Sequence, residues 1–401
     1  MMSQTTDFDI DQYVKFLEQH QNMSPAQLLE MHPAGVFNRD VNTSWESALY
    51  HDSIEIKYNL TDYEKTVLNK YGFVVSERLQ KGGFGIQFLD IWEKDLPVFI
   101  STDAILHAFH LFYDKMLVQV ESGILIDRIT DFLLKLHSTL PDLATKYADN
   151  PSMDQMLKDI DIYLSVPLLL LDQTINPVYA ENLTEINTIL NLIDAEEFAS
   201  YPFFSETCKE IDFSQFKPRG HYEENGPSAG EDPRLPKYFR AMIWLGRIEI
   251  YLLKPESIVS LSCPLQTDDD IQRQVIVALL ISELIELSGT DQSYAEIEEI
   301  LEFFIGEQDN VTLPHLQSLT QSLAISSASD LLDENTFRSF QDSLKTKDYA
   351  AQKILSQVLI SDPFSPGSIE PASAFMLFGQ RFVIDSYVSG SVVFDRIVYN
   401  Q

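Results

Sequence analysis

Cysteine is almost missing from this chain: Cys208 and Cys263 are the only two in 401 residues. They are far apart and outside any metal-ligand spacing, which predicts neither a disulfide framework nor a zinc site. Basic side chains are also scarce, with 28 Lys and Arg against 61 Asp and Glu, a net charge of −33 and a pI near 4.4. A field of that sign repels phosphate backbones and anionic lipid, so nucleic acid and membrane surfaces are poor partners. An anionic ligand would have to meet a local basic cluster. No apolar run reaches the roughly 20 residues that cross a bilayer, which excludes membrane insertion. Met1 to Ile10 is polar and acidic, without a basic start and an apolar stretch. As written, the chain reads as soluble and cytoplasmic. A serine-hydrolase elbow, a Cys–His dyad, a dinucleotide fingerprint and a fixed-period repeat are likewise missing.

What the chain does have is helical periodicity and enough apolar residues, 45%, for a substantial core. Short amphipathic helices are predicted over 9–21 and 25–31, the second opened by Ser24-Pro25. Thr61-Asp62-Tyr63-Glu64 is a capping box, so a helix should run to about Lys70 and stop at Gly72. Phe73 to Val75 reads as a short strand or link, 84–93 as a helix, and Leu96 to Ile100 as a brief extended segment. Lys81 to Gly85 is glycine-rich but lacks phosphate-loop spacing, so it reads as a turn. Further helices are predicted over 122–148, 153–173, 184–195, 236–254, 270–288, 293–305, 315–324, 335–345 and 348–359. The 270–288 stretch is apolar enough for a central buried helix. Residues 223–233 are acidic and rich in Gly and Pro, a surface loop. The aromatic and β-branched stretch 372–399 has no polar tail, as if cut inside a structured segment. The expected fold is mostly α, a layered or toroidal helical array, with an N-terminal arm over 1–50 and a main domain over 51–401.

Chemistry is concentrated in three places. The first follows Ser101 or Thr102 as a helix cap, where Asp103, His107, His110 and Asp114 recur at steps of four, three and four. At about 100° per residue they share an arc of roughly 60° on an otherwise apolar helix. Such a stripe suits the wall of a polar pocket, a metal site or a set of satisfied internal partners. Asp103 and Asp114 stand roughly 16 Å apart along the axis, too far to share one ion or to act as a glycosidase pair, which needs about 5–9.5 Å.

The second place is Phe216-Lys217-Pro218-Arg219-Gly220-His221-Tyr222, a loop with cations, an imidazole and a permissive glycine suited to an anion or a sugar. Arg219 could equally pair with a buried acid. The third is Lys237 to Arg247, where Arg240, Trp244, Arg247 and Tyr251 would share one helical face, fit for a planar anion or sugar ring or for a packed helix interface. Glu283 and Glu286 interrupt the 270–288 helix as acid–base groups or as partners for Arg240 and Arg247. His51, His137 and His315 lack companions.

These segments resemble the domain of unknown function 3160 family of bacteria and archaea. The likeness rests on Asp95 to Asp103 running into Leu106 to His110, on Phe216 to Tyr222, on Tyr238 to Arg247, and on Phe378-Gly379-Gln380-Arg381-Phe382. It covers most of residues 50–401. Family members commonly look exported or lipid-anchored, and their domains run beyond the segment ending here; both are departures. The resemblance implies no particular activity.

The expectation is a hydrolase-like enzyme, or a degenerate relative, with a charged pocket for a polar small molecule or glycan. His107, His110 and Asp103 would supply acid–base or metal chemistry, and Arg219, His221, Arg240, Trp244 and Arg247 would bind the ligand. The competing expectation is a non-catalytic scaffold whose polar motifs are buried networks. Metal, cofactor and oligomeric state are left open.

Overall fold

The computed structural model describes residues 15, 19–20, 23–31, 44–224, 232–255, 263–354 and 373–393. Its elements are mostly α-helical, with two small antiparallel sheets. The chain divides into two compact units, Met1–Phe109 and His110–Gln401.

The first unit holds α1 (Pro25–Met31), α2 (His51–Tyr58), α3 (Asp62–Tyr71), α4 (Phe84–Glu93) and the start of α5 (Thr102–Val120). The Thr61–Glu64 capping box forms, and Gly72 ends α3 in the left-handed region at φ 78°. Glu64 goes beyond capping. It is 5% exposed, pairs with Arg78 at 2.7 Å, and is held down at about 2, chiefly by that guanidinium. One carboxylate therefore ties the α3 start to the segment after it. Phe73 to Val75 is an extended link rather than a strand.

In the second unit α5 continues through a π-turn (Glu121–Leu125) into α6 (Ile126–Lys146), followed by α7 (Asp154–Leu170) and α8 (Leu183–Ala195). A hairpin of β1 (Phe198–Tyr201) and β2 (Lys209–Asp212) comes next, then α9 (Leu235–Arg247) and β3 (Ile250–Tyr251). The unit continues with α10 (Asp268–Ser288), α11 (Asp291–Ile305), α12 (Leu313–Ser322), α13 (Glu334–Lys345), β4 (Ala374–Phe375) and α14 (Ile384–Val393).

The core centres on α7 and α10. Every residue of α10 from Gln274 to Ile281 is buried, and α10 packs on α6, α7, α12 and β3. Its start is set by a Thr267–Asp270 capping box with three acids in the first turn, its end by Gly289 at φ 67°. Burial on all sides matches the apolar reading of 270–288. By contrast α6 is amphipathic, burying Ile126, Ile129, Leu133, Leu136, Leu140 and Leu143 at helical spacing.

Two predicted helices end differently. The 236–254 helix stops at Arg247, and Ile250 and Tyr251 pair instead with Phe375 and Ala374. A partner more than a hundred residues away overrides local helical periodicity there, which removes Tyr251 from the face of Arg240 and Trp244. The described part of 348–359 is a run of turns, because the Lys353 and Ile354 amides donate to Asp309 at 2.9 and 2.5 Å. The expected features at 9–14, 225–231 and 394–399 lie outside the described residues.

The cysteine expectation is corrected. Cys208 and Cys263 form a disulfide across 55 residues, with Cα atoms 5.4 Å apart. Sequence spacing gave no hint because the fold supplies the encounter. Glu206 N and Thr207 Oγ1 donate to Asp270 at 2.7 Å each, which holds the segment before β2 against the α10 start.

Two predictions follow from this packing. A Cβ at Gly246 would lie 2.7 Å from the Phe378 carbonyl oxygen, so Gly246→Ala should cost about 1–3 kcal/mol in urea unfolding; an unchanged midpoint contradicts the close approach. The unfolded, unreduced chain should give no free thiol in a thiol titration, and reduction should lower stability by about 2–4 kcal/mol. Two titratable thiols would contradict the bond.

Candidate functional site

The second unit contains a cavity of about 950 Å³, open mouth included, between the β1–β2 hairpin, the end of α9 and the segment leading into α10. Phe203, Phe216, Ile243 and Leu265 give it apolar walls, and Arg247, Lys209, Glu249, Asp212, Gln215 and Gln266 bring polar groups to it. A cleft with apolar walls and a few convergent polar groups is the usual form of a small-molecule site. The disulfide lies in its wall, joining Cys208 on one side to Cys263 on the other.

Arg247 is the unusual member. The described arginines 78, 128, 234, 240, 273, 338 and 381 each pair with a carboxylate. Arg247 makes no hydrogen bond or ion pair among the described residues, although Glu249 and Asp212 act on it from a distance. Burial lowers its pKa, and Arg219 adds like-charge repulsion. A partly buried guanidinium without a partner is costly, and an incoming carboxylate or hydroxyl-rich group would satisfy it.

Lys209 sits opposite a polar relay rather than an acid. Its Nζ donates to the Glu249 carbonyl oxygen at 2.7 Å and to Gln274 Oε1 at 2.6 Å, and lies 4.2 Å from the centre of the Tyr251 ring. Gln274 passes the network on to Gln266 at 2.7 Å. Burial lowers the Lys209 pKa to about 7, against the pull of Glu249 and Asp270.

A second constellation forms around His221. Its Nδ1 bonds Asp114 Oδ1 at 2.7 Å and its Nε2 bonds Glu121 Oε2 at 2.8 Å, with the ring 8% exposed. Tyr222 donates to the other Glu121 oxygen and packs against Phe239, ring centres 4.8 Å apart. Gly220, at φ 62°, allows the turn that delivers both side chains. Burial pushes the His221 pKa down, but the two carboxylates outweigh it and the pKa is raised. With both nitrogens engaged by acids, the ring is an imidazolium clamp rather than a free base.

The other expected site residues scatter. Arg219 lies over Phe239 at 5.7 Å. Arg240 pairs with Asp194 and Glu196 at 2.8 and 3.0 Å. Trp244 is fully buried and donates to the Tyr163 carbonyl oxygen at 2.9 Å. Asp103, His107 and His110 are exposed on α5. The His107 ring meets Phe84 at 4.9 Å, and Asp103 and His110 make no side-chain hydrogen bond among the described residues. Glu283 serves Lys146 at 2.6 Å and the Ala328 amide at 2.6 Å, not Arg240 or Arg247. No three His, Cys, Asp or Glu among the described residues are placed to hold a metal ion.

Sequence reasoning missed Lys209, Glu249, Asp212 and Glu121. The one signal available for Lys209 was its rarity as a base beside a cysteine. For Glu121 it was an acid about two helical turns beyond Asp114, the end of the Asp103–Asp114 stripe.

Fold and site together define a mostly helical protein with a disulfide-walled polar cavity. The chain belongs to the family described as protein of unknown function (DUF3160), whose model matches residues 61–401. No curated protein and no solved structure matches it.

The His221 clamp makes a signed pH prediction. A pKa raised above the ordinary 6.5 contributes stability that is complete below that value and lost as pH rises through the folded one. The wild-type advantage over His221→Gln should be about 1–3 kcal/mol near pH 5.5 and shrink toward about pH 8.5, as read by urea melts. An advantage that grows with pH contradicts the clamp.

Proposed function

We propose that the Arg247 cavity binds a polar small molecule, a sugar acid or similar hydroxyl-rich anion, in a hydrolase-like protein or a degenerate relative of one. The observation that carries this reading is a guanidinium without a partner at a cavity, in a chain with 61 acids to 28 bases. Every other described arginine except Arg219 has found a carboxylate, so leaving Arg247 unpaired serves something outside the chain. The aromatic and aliphatic walls suit the apolar face of a sugar ring, while Gln215 and Gln266 supply hydroxyl partners.

A separate catalytic reading keeps Asp103, His107 and His110 as acid–base groups on α5, apart from the Arg247 cavity, which none of them lines. Their exposure supports it, as does the lack of side-chain hydrogen bonds at Asp103 and His110 among the described residues. Turnover of an aryl-glycoside panel that persists undiminished in His107→Ala/His110→Ala would remove the pair. A scaffold reading also has support, in the fully engaged His221, Arg240 and Trp244, which hold segments in register. The Cys208–Cys263 bond favours an oxidising compartment as the place of action.

Calorimetric titration with glucuronate and with glucose tests the binding reading. Glucuronate should bind more tightly than glucose, and Arg247→Ala should weaken it about 10–100-fold, the loss of a charged hydrogen-bond pair. Equal affinities, or an unaffected Arg247→Ala, would overturn it.

A further inference from the structure

We propose that Lys209 is the reactive amine of this cavity, forming an imine with the carbonyl group of an oxo acid whose carboxylate is held by Arg247. The inference rests on the binding reading above and names its substrate class.

Three observations converge on Lys209. First, it contrasts with several of its peers: Lys65, Lys94, Lys146, Lys158 and Lys237 each reach a carboxylate, whereas among the described residues Lys209 has only the neutral oxygens of Glu249 and Gln274 within hydrogen-bond range. Two neutral acceptors match the two N–H groups of an uncharged amine and leave its lone pair available. Second, the site lowers the amine toward neutrality by burial, the condition under which a lysine becomes nucleophilic. Third, the neighbours fit. Lys209 touches the backbone of Glu249, two residues beyond Arg247 along a segment that leaves the helix at Ile248 with φ −84° and ψ 95°. Lys209 and Arg247 both line this cavity, so an amine and a guanidinium face one ligand-sized space.

The chemistry balances without an oxidant. The amine nitrogen adds to the carbonyl carbon, a proton passes from nitrogen to oxygen, and the resulting hydroxyl leaves with a second proton as water. One C–O double bond is replaced by one C–N double bond. Glu249 and Asp212 also line the cavity and are the carboxylates available to carry those protons.

Reductive trapping tests this on the native, disulfide-intact chain. Incubation with pyruvate and cyanoborohydride at neutral pH, followed by peptide mapping, should place the adduct on Lys209 about tenfold over any other lysine. Acetaldehyde, which lacks the carboxylate, should lose that preference, and so should pyruvate with Arg247→Ala. Adducts spread over surface lysines, or none on Lys209, overturn the proposal. Lactate, the same acid without the carbonyl, separates the two readings. If lactate binds in an Arg247-dependent way while Lys209 stays unlabelled, the reactive amine fails and the binding site stands. If no anion binds through Arg247, both fail.

Discussion

The His110–Gln401 unit depends on a helix that cannot face water. From Gln274 to Ile281, α10 buries every side chain, so it must be covered on all sides. The covering elements include α6, α7, α12, β3 and the turn Ala328–Leu332. At roughly 1.5–3 kcal/mol for each large aliphatic side chain buried, this one helix outweighs any single polar contact in the unit. Its position then fixes the cavity. Asp270, in its first turn, captures Glu206 and Thr207, and Gln274, one turn on, captures Lys209 and the Tyr251 amide. The helix thus presents its two buried polar side chains, Asp270 and Gln274, to the hairpin and to β3, and the cavity opens between those attachments.

Charge imbalance is the second constraint. With acids outnumbering bases by more than two to one, many cations are drawn to carboxylates, and the structure uses them to bind segments together: Arg273 to Asp159, Arg381 to Glu298, Arg78 to Glu64. His221 belongs with these, drawn between two acids. The same surplus makes the exceptions informative. Arg247 and Lys209 share one cavity and neither pairs with a carboxylate among the described residues, so the cavity combines basic groups with apolar walls inside a strongly acidic protein.

The helices were largely legible because their information is local. The Thr61 box, the Gly72 and Gly289 stops and the 84–93 helix are set by residues within a turn or two of each other. The site was legible only in part. Arg247, Arg219 and His221 stood out as rare cations beside aromatics, but Arg240 and Trp244, equally conspicuous, serve the core. Sequence cannot separate those cases, because pairing partners such as Asp194 and Tyr163 come from other helices. The disulfide and the strand at Ile250 were illegible for the same reason: each depends on a segment more than fifty residues away.

The most direct measurement is electron density for a carboxylate-bearing fragment soaked into crystals of the disulfide-intact chain. The fragment should lie inside the cavity, its carboxylate on the Arg247 guanidinium and its body against Phe216. Fragments gathered instead at His107 and His110, with the cavity empty and Arg247 turned onto a carboxylate of its own chain, would contradict it.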